Sequence, residues 1–187
     1  MTLVASYSFD SGAAADVTGR GHDGTLVNSP TFPTGHIGLG LQCVSASSQY
    51  VEVADHADFT LGTLWTVMCW VKPTTLPAAA CELVCKKNQW WFSYDDTNWQ
   101  HVAGRYDGSN LQVVRNGAQV NTATPGSFTM IDNTELVRMG SWDGVIEFLN
   151  GALDDVRVFN EYLTDAQITA QMATSPTYIT KTFSVNY

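Results

Sequence analysis

The chain has 187 residues, of which 44% are hydrophobic and 11% aromatic, so it can bury one good core and is expected to form a single domain. A formal net charge of -9, with only nine scattered basic residues, argues against binding to nucleic acid or anionic lipid, because both need clustered Lys and Arg. No apolar run approaches the roughly 20 residues of a membrane span, and the first residues lack the basic and apolar regions of a signal peptide.

Short alternating segments, separated by Gly, Asn, Asp and Pro, predict an all-β protein. In the first segment the alternate positions are apolar and are expected to share one face: Leu3, Ala5, Tyr7 and Phe9. The alternation continues at Leu39, Leu41, Val51 and Val53.

The segment 65–71 is apolar on both faces apart from Thr66, which is typical of a central strand covered on each side. Pro73 should end this strand, because proline cannot donate to a strand ladder. The four cysteines, Cys43, Cys69, Cys81 and Cys85, lack zinc-ligand spacing and are expected to be buried thiols.

Two local motifs predict specific elements in the second half. Asn116-Gly117 accepts the positive φ angles of a tight hairpin turn between strands 111–115 and 118–120. Thr164 and Gln167 form a capping box, which predicts one short helix over about 164–172 with an apolar side. That side is formed by Leu163, Ile168 and Met172.

A break at 174–177 divides the chain into a domain of residues 1–175 and a tail of residues 176–187. The tail alternates, with Ile179, Phe183, Val185 and Tyr187 on one side, and is predicted to be an added terminal strand. Two interpretations stay open: the tail completes the domain's own sheet, or it pairs with a neighbouring subunit in an oligomer or larger assembly.

Several motifs, in order, resemble the laminin-G-like, concanavalin A-like lectin/glucanase jelly-roll family. They are Leu-Val-Ala-Ser-Tyr-Ser-Phe-Asp at 3–10, the Gly-rich turn at 16–25, Trp-Val-Lys-Pro at 70–73, Trp-Gln-His-Val-Ala at 99–103, and Gly-Ala-Leu-Asp-Asp-Val-Arg-Val-Phe at 151–159. The resemblance implies a two-sheet antiparallel jelly-roll sandwich whose chain ends meet near one edge. Residues 82–98 depart from the family pattern, because less strand is present there.

The resemblance also implies a structural calcium where the first and last strands meet. Asp10 and Asp154 match those positions and are the leading candidate ligands, with Asp16 as a weaker one. Calcium accepts carboxylate and backbone oxygens, which suits such a set. The alternative is that Asp10 and Asp16 cap turns and that Asp154 or Asp155 pairs with Arg157 or another base.

Catalysis is not expected. A retaining glycosidase needs two carboxylates about 5 Å apart, and the five Glu residues stand far apart in sequence. Folding could still bring Asp95, Asp143 and Glu147 together. His101 is expected to be a packed histidine, and His22, His36 and His56 are expected to be solvated.

Aromatic rings beside polar groups indicate sugar binding, because sugar C–H faces stack on rings while hydroxyls need polar partners. Two segments have this composition, and their candidate ligand-binding residues are Trp90, Trp91, Tyr94 and Asp95 in one and Trp142 and Asp143 in the other. Ordinary sandwich packing is the alternative for both. Trp65, Trp70 and Trp99 are expected in the core.

The sequence therefore predicts a non-enzymatic binding module that recognises a glycan or cell-surface polysaccharide. Its expected location is a virion surface, as a phage decoration or tail-associated protein attached to other virion subunits through residues 176–187. Two alternatives stay open: a purely structural decoration protein, and an extracellular module cut from a secreted carbohydrate-active protein.

Overall fold

The computed structural model describes residues 2–75, 82–87, 97–128, 130 and 132–174. The described elements, in chain order, are β1 (Leu3–Tyr7), β2 (Gly24–Val27), β3 (Leu41–Cys43), β4 (Tyr50–Val53), β5 (Trp65–Pro73), β6 (Val84–Lys86), β7 (Gln100–Tyr106), β8 (Leu111–Arg115), β9 (Ala118–Ala123), β10 (Val137–Met139), β11 (Gly151–Phe159) and α1 (Asp165–Met172), with short 3-10 helices at Ser45–Ser47 and Ala57–Phe59. The tail 176–187 lies outside the described residues, as does Cys81.

Two antiparallel sheets stack face to face, which confirms the predicted sandwich. The large sheet has the order β1-β11-β5-β7-β8-β9, and β3 also pairs with β11; the small sheet has the order β2-β4-β10-β6. Because the first described strand pairs with the last, the two ends of the described domain meet at one edge.

The strand β5 lies inside the large sheet between β11 and β7, as its two-sided apolar pattern predicted. Its residues alternate between two environments. Val67, Cys69 and Val71 face the core between the sheets, whereas Met68 packs in a second cluster beneath α1. The outer face of the large sheet is therefore partly covered by the helix.

The two local motifs form as predicted. Asn116 and Gly117 have φ angles of 49° and 82° and join β8 to β9. Thr164 caps α1 with a complete capping box to Gln167. Leu163 and Ile168 are fully buried in the cluster beneath the helix. None of the described helices is long and apolar enough to span a membrane.

The expectation for the first strand was wrong in one position. Ala5, Tyr7 and Phe9 belong to the core between the sheets, but Leu3 packs against the cluster beneath α1. A register shift between Leu3 and Ala5 breaks the alternation, because a bulge moves the residues before it to the other face. Cys43, Cys69 and Cys85 are buried, as expected.

Candidate functional site

Three strands place polar and small side chains side by side on the outer face of the large sheet. Lys72 of β5 lies opposite Ala152 of β11, and Ala152 lies opposite Gln42 of β3. Directly opposed residues point to the same side of a sheet, so these side chains form a row. Lys72 is exposed, Gln42 partly buried and Ala152 buried.

This row lies in a groove with a volume of about 550 Å³. The groove is lined by Pro33, Thr34, Gln42, Lys72, Pro73, Thr74, Thr97, Trp99 and Ala152. It therefore combines one partly exposed aromatic ring with hydroxyl, amide and ammonium groups. Among the described residues that line it, none carries a carboxylate.

The loop 33–40 forms one wall of the groove and is held by stacked aromatic rings. The ring of His36 lies 3.5 Å from the ring of Trp70, with an angle of 12° between the planes. His36 also meets the ring of Trp99 edge-on, with centroids 5.8 Å apart. His101 in turn contacts Trp70 edge-on at 5.3 Å.

The buried carboxylate of Asp154 anchors the same loop to the sheet. One oxygen, Oδ2, accepts the backbone N–H groups of His36 and Ile37 at 2.8 and 2.9 Å, while Oδ1 accepts the N–H of Asp155 at 2.8 Å. The pKa of Asp154 is raised to about 7, mainly because the carboxyl is buried; the neighbouring Asp155 charge also raises it, and the amide hydrogen bonds lower it. Gly35 lies so close that an added Cβ would be 2.5 Å from Asp154 Oδ2.

Asp10 holds the far end of this loop. Its Oδ1 accepts the N–H of Leu39 at 2.9 Å. Gly38, with a φ of 68°, passes so near that a Cβ there would lie 1.9 Å from the same oxygen. Both predicted calcium ligands at the strand ends thus contact the loop 35–39, and both accept backbone N–H groups.

Asp16 belongs to a different network. Its carboxylate accepts the N–H groups of Ser6, Thr18 and His22 and the hydroxyl of Thr18. Asp10, Asp16 and Asp154 do not form a group of three within metal-ligand reach in the described part of the chain. Asp10 Oδ1 and both carboxylate oxygens of Asp154 and Asp16 accept backbone N–H groups, which supports a role in holding turns and loops. Calcium binding stays a prediction.

The candidate ligand-binding residues fall into two groups, one outside the described residues and one in a described loop. Trp90, Trp91, Tyr94 and Asp95 lie outside the described residues. Trp142 and Asp143 lie in a loop next to the small sheet, where both residues are partly exposed. There Asp143 accepts the N–H groups of Val145 and Ile146 and pairs with Lys87 at 3.3 Å.

The three tryptophans expected in the core have different surroundings. Trp65 lies in the core between the sheets. Trp70 is buried too, but on the outer face beneath His36, and Trp99 is a partly exposed groove residue. The groove was not predicted from the sequence, although the charged Lys72 near the end of a mostly apolar strand was a signal that this outer face is open to solvent.

The histidines also differ from expectation in part. His101 is buried, and desolvation lowers its pKa to about 3, so it is neutral as a packed histidine should be. His36 and His56 are exposed as expected. His22 is only 6% exposed, which contradicts the expectation of a solvated side chain; it is enclosed because its ring packs against Phe59.

The family model of the concanavalin A-like lectin/glucanases superfamily, Laminin_G_3, matches residues 93–169. The resemblance to this superfamily is confirmed. In this chain the groove lies on the outer face of the large sheet, beside the loop 33–40. The comparison with curated proteins gives no match.

Similar solved structures include one domain of an arabinanase and the binding domains of two toxins. Domain 4 of AbnA, a GH43 extracellular arabinanase from Geobacillus stearothermophilus in complex with arabinotriose, has a TM-score of 0.74 at 20% identity, covering 91% of this chain and 98% of that one. The binding domain of Paraclostridial Mosquitocidal Protein 1 has a TM-score of 0.75 at 14% identity, covering 90% and 51%. The binding domain of Botulinum Neurotoxin DC in complex with SialylT has a TM-score of 0.69 at 13% identity, covering 92% and 51%. This chain thus spans about half the length of the two toxin domains, and the likeness concerns the fold.

Proposed function

We propose that this domain binds carbohydrate without hydrolysing it, in the groove beside Trp99. The observation that carries the proposal is the composition of the groove: a partly exposed indole beside Gln42, Lys72 and three threonines. A sugar ring can stack its C–H face on the indole while its hydroxyls bind the amide, ammonium and hydroxyl groups. The fold shared with an arabinotriose-bound domain supports the same ligand class.

The absence of carboxylates from the described groove lining supports binding over hydrolysis. Glycosidases place two carboxyl groups about 5 Å or about 6.5–9.5 Å apart on either side of the scissile bond. Asp154 lies nearby but is fully buried beneath the loop and engaged with three amides. We expect no release of reducing ends from arabinan, xylan or laminarin above a blank without protein.

A glycan array followed by isothermal titration calorimetry tests the proposal, with arabinotriose as the first soluble ligand. Trp99→Ala should weaken binding at least tenfold, because it removes the stacking surface. Trp142→Ala is the informative comparison, since that residue was the competing candidate in the described part of the chain. An affinity lost in Trp142→Ala and kept in Trp99→Ala would move the site to the other loop, and no binding to any glycan would overturn the function.

The predicted location on a virion surface and attachment to other subunits through residues 176–187 stay predictions. They are separate from glycan binding, because a carbohydrate-binding module can be displayed on a virion or form part of a secreted protein. Electron microscopy of virions with an antibody to this domain would distinguish the two.

A further inference from the structure

A second cluster of polar side chains lies where the turn 16–23 meets the 3-10 helix Ala57–Phe59. His22, His56 and Asp58 each offer one ligand atom, and these atoms lie within 4.8 Å of one another. Within the described ranges, no other group of three His, Cys, Asp or Glu side chains has this property.

His22 is held in place from several sides. Its backbone carbonyl accepts the Tyr7 hydroxyl at 2.7 Å, and its N–H donates to Asp16 at 3.3 Å. Its ring lies 4.8 Å from the ring of Phe59, which is fully buried. The imidazole is therefore fixed before any ligand binds, and its Nε2 faces Asp58 at 2.9 Å.

His56 and Asp58 are positioned by the start of the 3-10 helix. His56 Nδ1 accepts the N–H of Asp58 at 3.1 Å, and it lies 3.7 Å from Asp58 Oδ1. The lone pair on Nδ1 is thus directed at the backbone amide of Asp58, and the carboxylate of the same residue lies beside it. The hydrogen bond from His22 lowers the pKa of Asp58, so the carboxylate is ionised at neutral pH.

We propose that His22, His56 and Asp58 bind a zinc-type divalent transition metal. Tetrahedral zinc, with bonds of about 2.0–2.1 Å, places its ligand atoms about 3.3–3.5 Å apart. His22 Nε2 lies 2.9 Å from Asp58 Oδ2, and His56 Nδ1 lies 3.7 Å from Asp58 Oδ1. Because the three ligand atoms lie within 4.8 Å of one another, the side chains would adjust to the metal on binding. Metal bonds replace two hydrogen bonds: the one between His22 Nε2 and Asp58 Oδ2, and the one from the Asp58 N–H to His56 Nδ1. Water completes the coordination.

The donor set selects the class of metal. Two imidazole nitrogens with one carboxylate suit zinc, nickel or copper, whereas calcium prefers oxygen ligands throughout. The site is also distinct from the calcium predicted at Asp10 and Asp154, which lie at the loop 35–39. Its effect would be to tie the turn 16–23 to the 3-10 helix.

Arg20 competes with the metal in this geometry. Its Nη1 lies 3.1 Å from Asp58 Oδ2, and its side chain is 44% exposed. An exposed arginine can rotate into solvent at low cost, but its charge near the site disfavours a cation. Replacing it by a neutral residue of similar length should therefore strengthen metal binding.

Isothermal titration of chelator-treated protein with zinc chloride tests the site, with calcium chloride as the comparison metal. We expect one zinc per chain in the wild type, at least tenfold weaker binding in His56→Gln and Asp58→Asn, and binding several-fold tighter in Arg20→Gln. His36→Gln is the matched control, because it removes a different exposed histidine and should leave zinc affinity unchanged. Circular dichroism of each variant checks folding, and His56→Gln is decisive if Asp58→Asn unfolds, because the His56 side chain is 56% exposed.

Two results would overturn the proposal. One is no saturable zinc binding by the wild type. The other is equal affinity in folded His56→Gln and wild type, which would place the metal elsewhere.

Discussion

His36 lies flat against Trp70, with ring centroids 3.5 Å apart and an angle of 12° between the planes. This stack is where the loop 33–40 meets the outer face of the large sheet. The N–H of His36 donates to Asp154, which lies opposite Trp70 on the neighbouring strand. One buried carboxylate and one indole thus fix the loop that forms a wall of the groove.

Asp154→Asn should therefore loosen the groove. The asparagine has the same size but replaces one acceptor oxygen with an NH₂ donor, so at least one of the three amides that donate to Asp154 loses its partner, at a cost of about 1–3 kcal/mol. We expect a lower melting temperature and weaker glycan binding by calorimetry. Asp10→Asn is the matched control, because Asp10 is exposed and its substitution should lower the melting temperature less. Equal losses of melting temperature in the two variants would contradict the anchoring role of Asp154.

Glu82 should make stability depend on pH. Burial, followed by the charge of Glu147, raises the pKa of Glu82 to about 7, from a usual value of 4.5. A raised pKa means that the folded state holds the proton more tightly than the unfolded state. Proton binding at Glu82 therefore contributes to the free energy of unfolding below pH 4.5, and this contribution is lost as pH rises through about 7. The loss is about 3 kcal/mol at most.

Denaturant unfolding of Glu82→Gln at pH 5 and pH 8 measures this effect. The variant should lose less stability than the wild type between the two values, since glutamine does not ionise. Glu147→Gln should reduce the same loss in part, because it removes the neighbouring charge. A wild-type difference that both variants retain in full would show that other groups, such as Asp154, cause it.

Gly117 couples the β8–β9 hairpin to the helix. It has a φ of 82°, and a Cβ there would lie 2.6 Å from the Thr169 hydroxyl of α1. Gly126 is a matched control with a φ of 81° and open space around its Cβ position. Gly117→Ala should destabilise the fold by more than the roughly 1–2 kcal/mol expected for a left-handed alanine alone, as measured by urea unfolding. Equal losses in the two variants would argue against a tight contact between hairpin and helix.

Calcium, if it binds at Asp10 and Asp154 as predicted, should raise the melting temperature. A ligand that binds only the folded state stabilises it by about 2.7 kcal/mol at a hundredfold excess over its dissociation constant. Thermal melts with calcium and with chelator measure this. Identical curves would reject the site, and a shift that persists in Asp154→Ala would place the calcium elsewhere.

The sequence by itself determined those turns and helix ends that depend on interactions between residues close together in the chain. Asn116-Gly117 sets its turn because both residues accept positive φ, and Thr164 with Gln167 starts α1 because their side chains satisfy nearby amides. The two-sided apolar pattern of β5 likewise identified a central strand. Regular short strands with turn signals favoured a sandwich or jelly roll, and the family resemblance of the ordered motifs implied the two-sheet form.

Only the tertiary structure decided which distant residues meet. Gln42, Lys72 and Ala152 form one row because the register of β3, β11 and β5 aligns them. Alternation within one strand decides the face that each residue takes, but not which residue of another strand lies opposite. His36 reaches Trp70 because a buried Asp154 accepts its N–H, and His22 is enclosed because Phe59 packs on it. Binding groups are brought together by contacts between separate segments, and these depend on the packing of the whole domain.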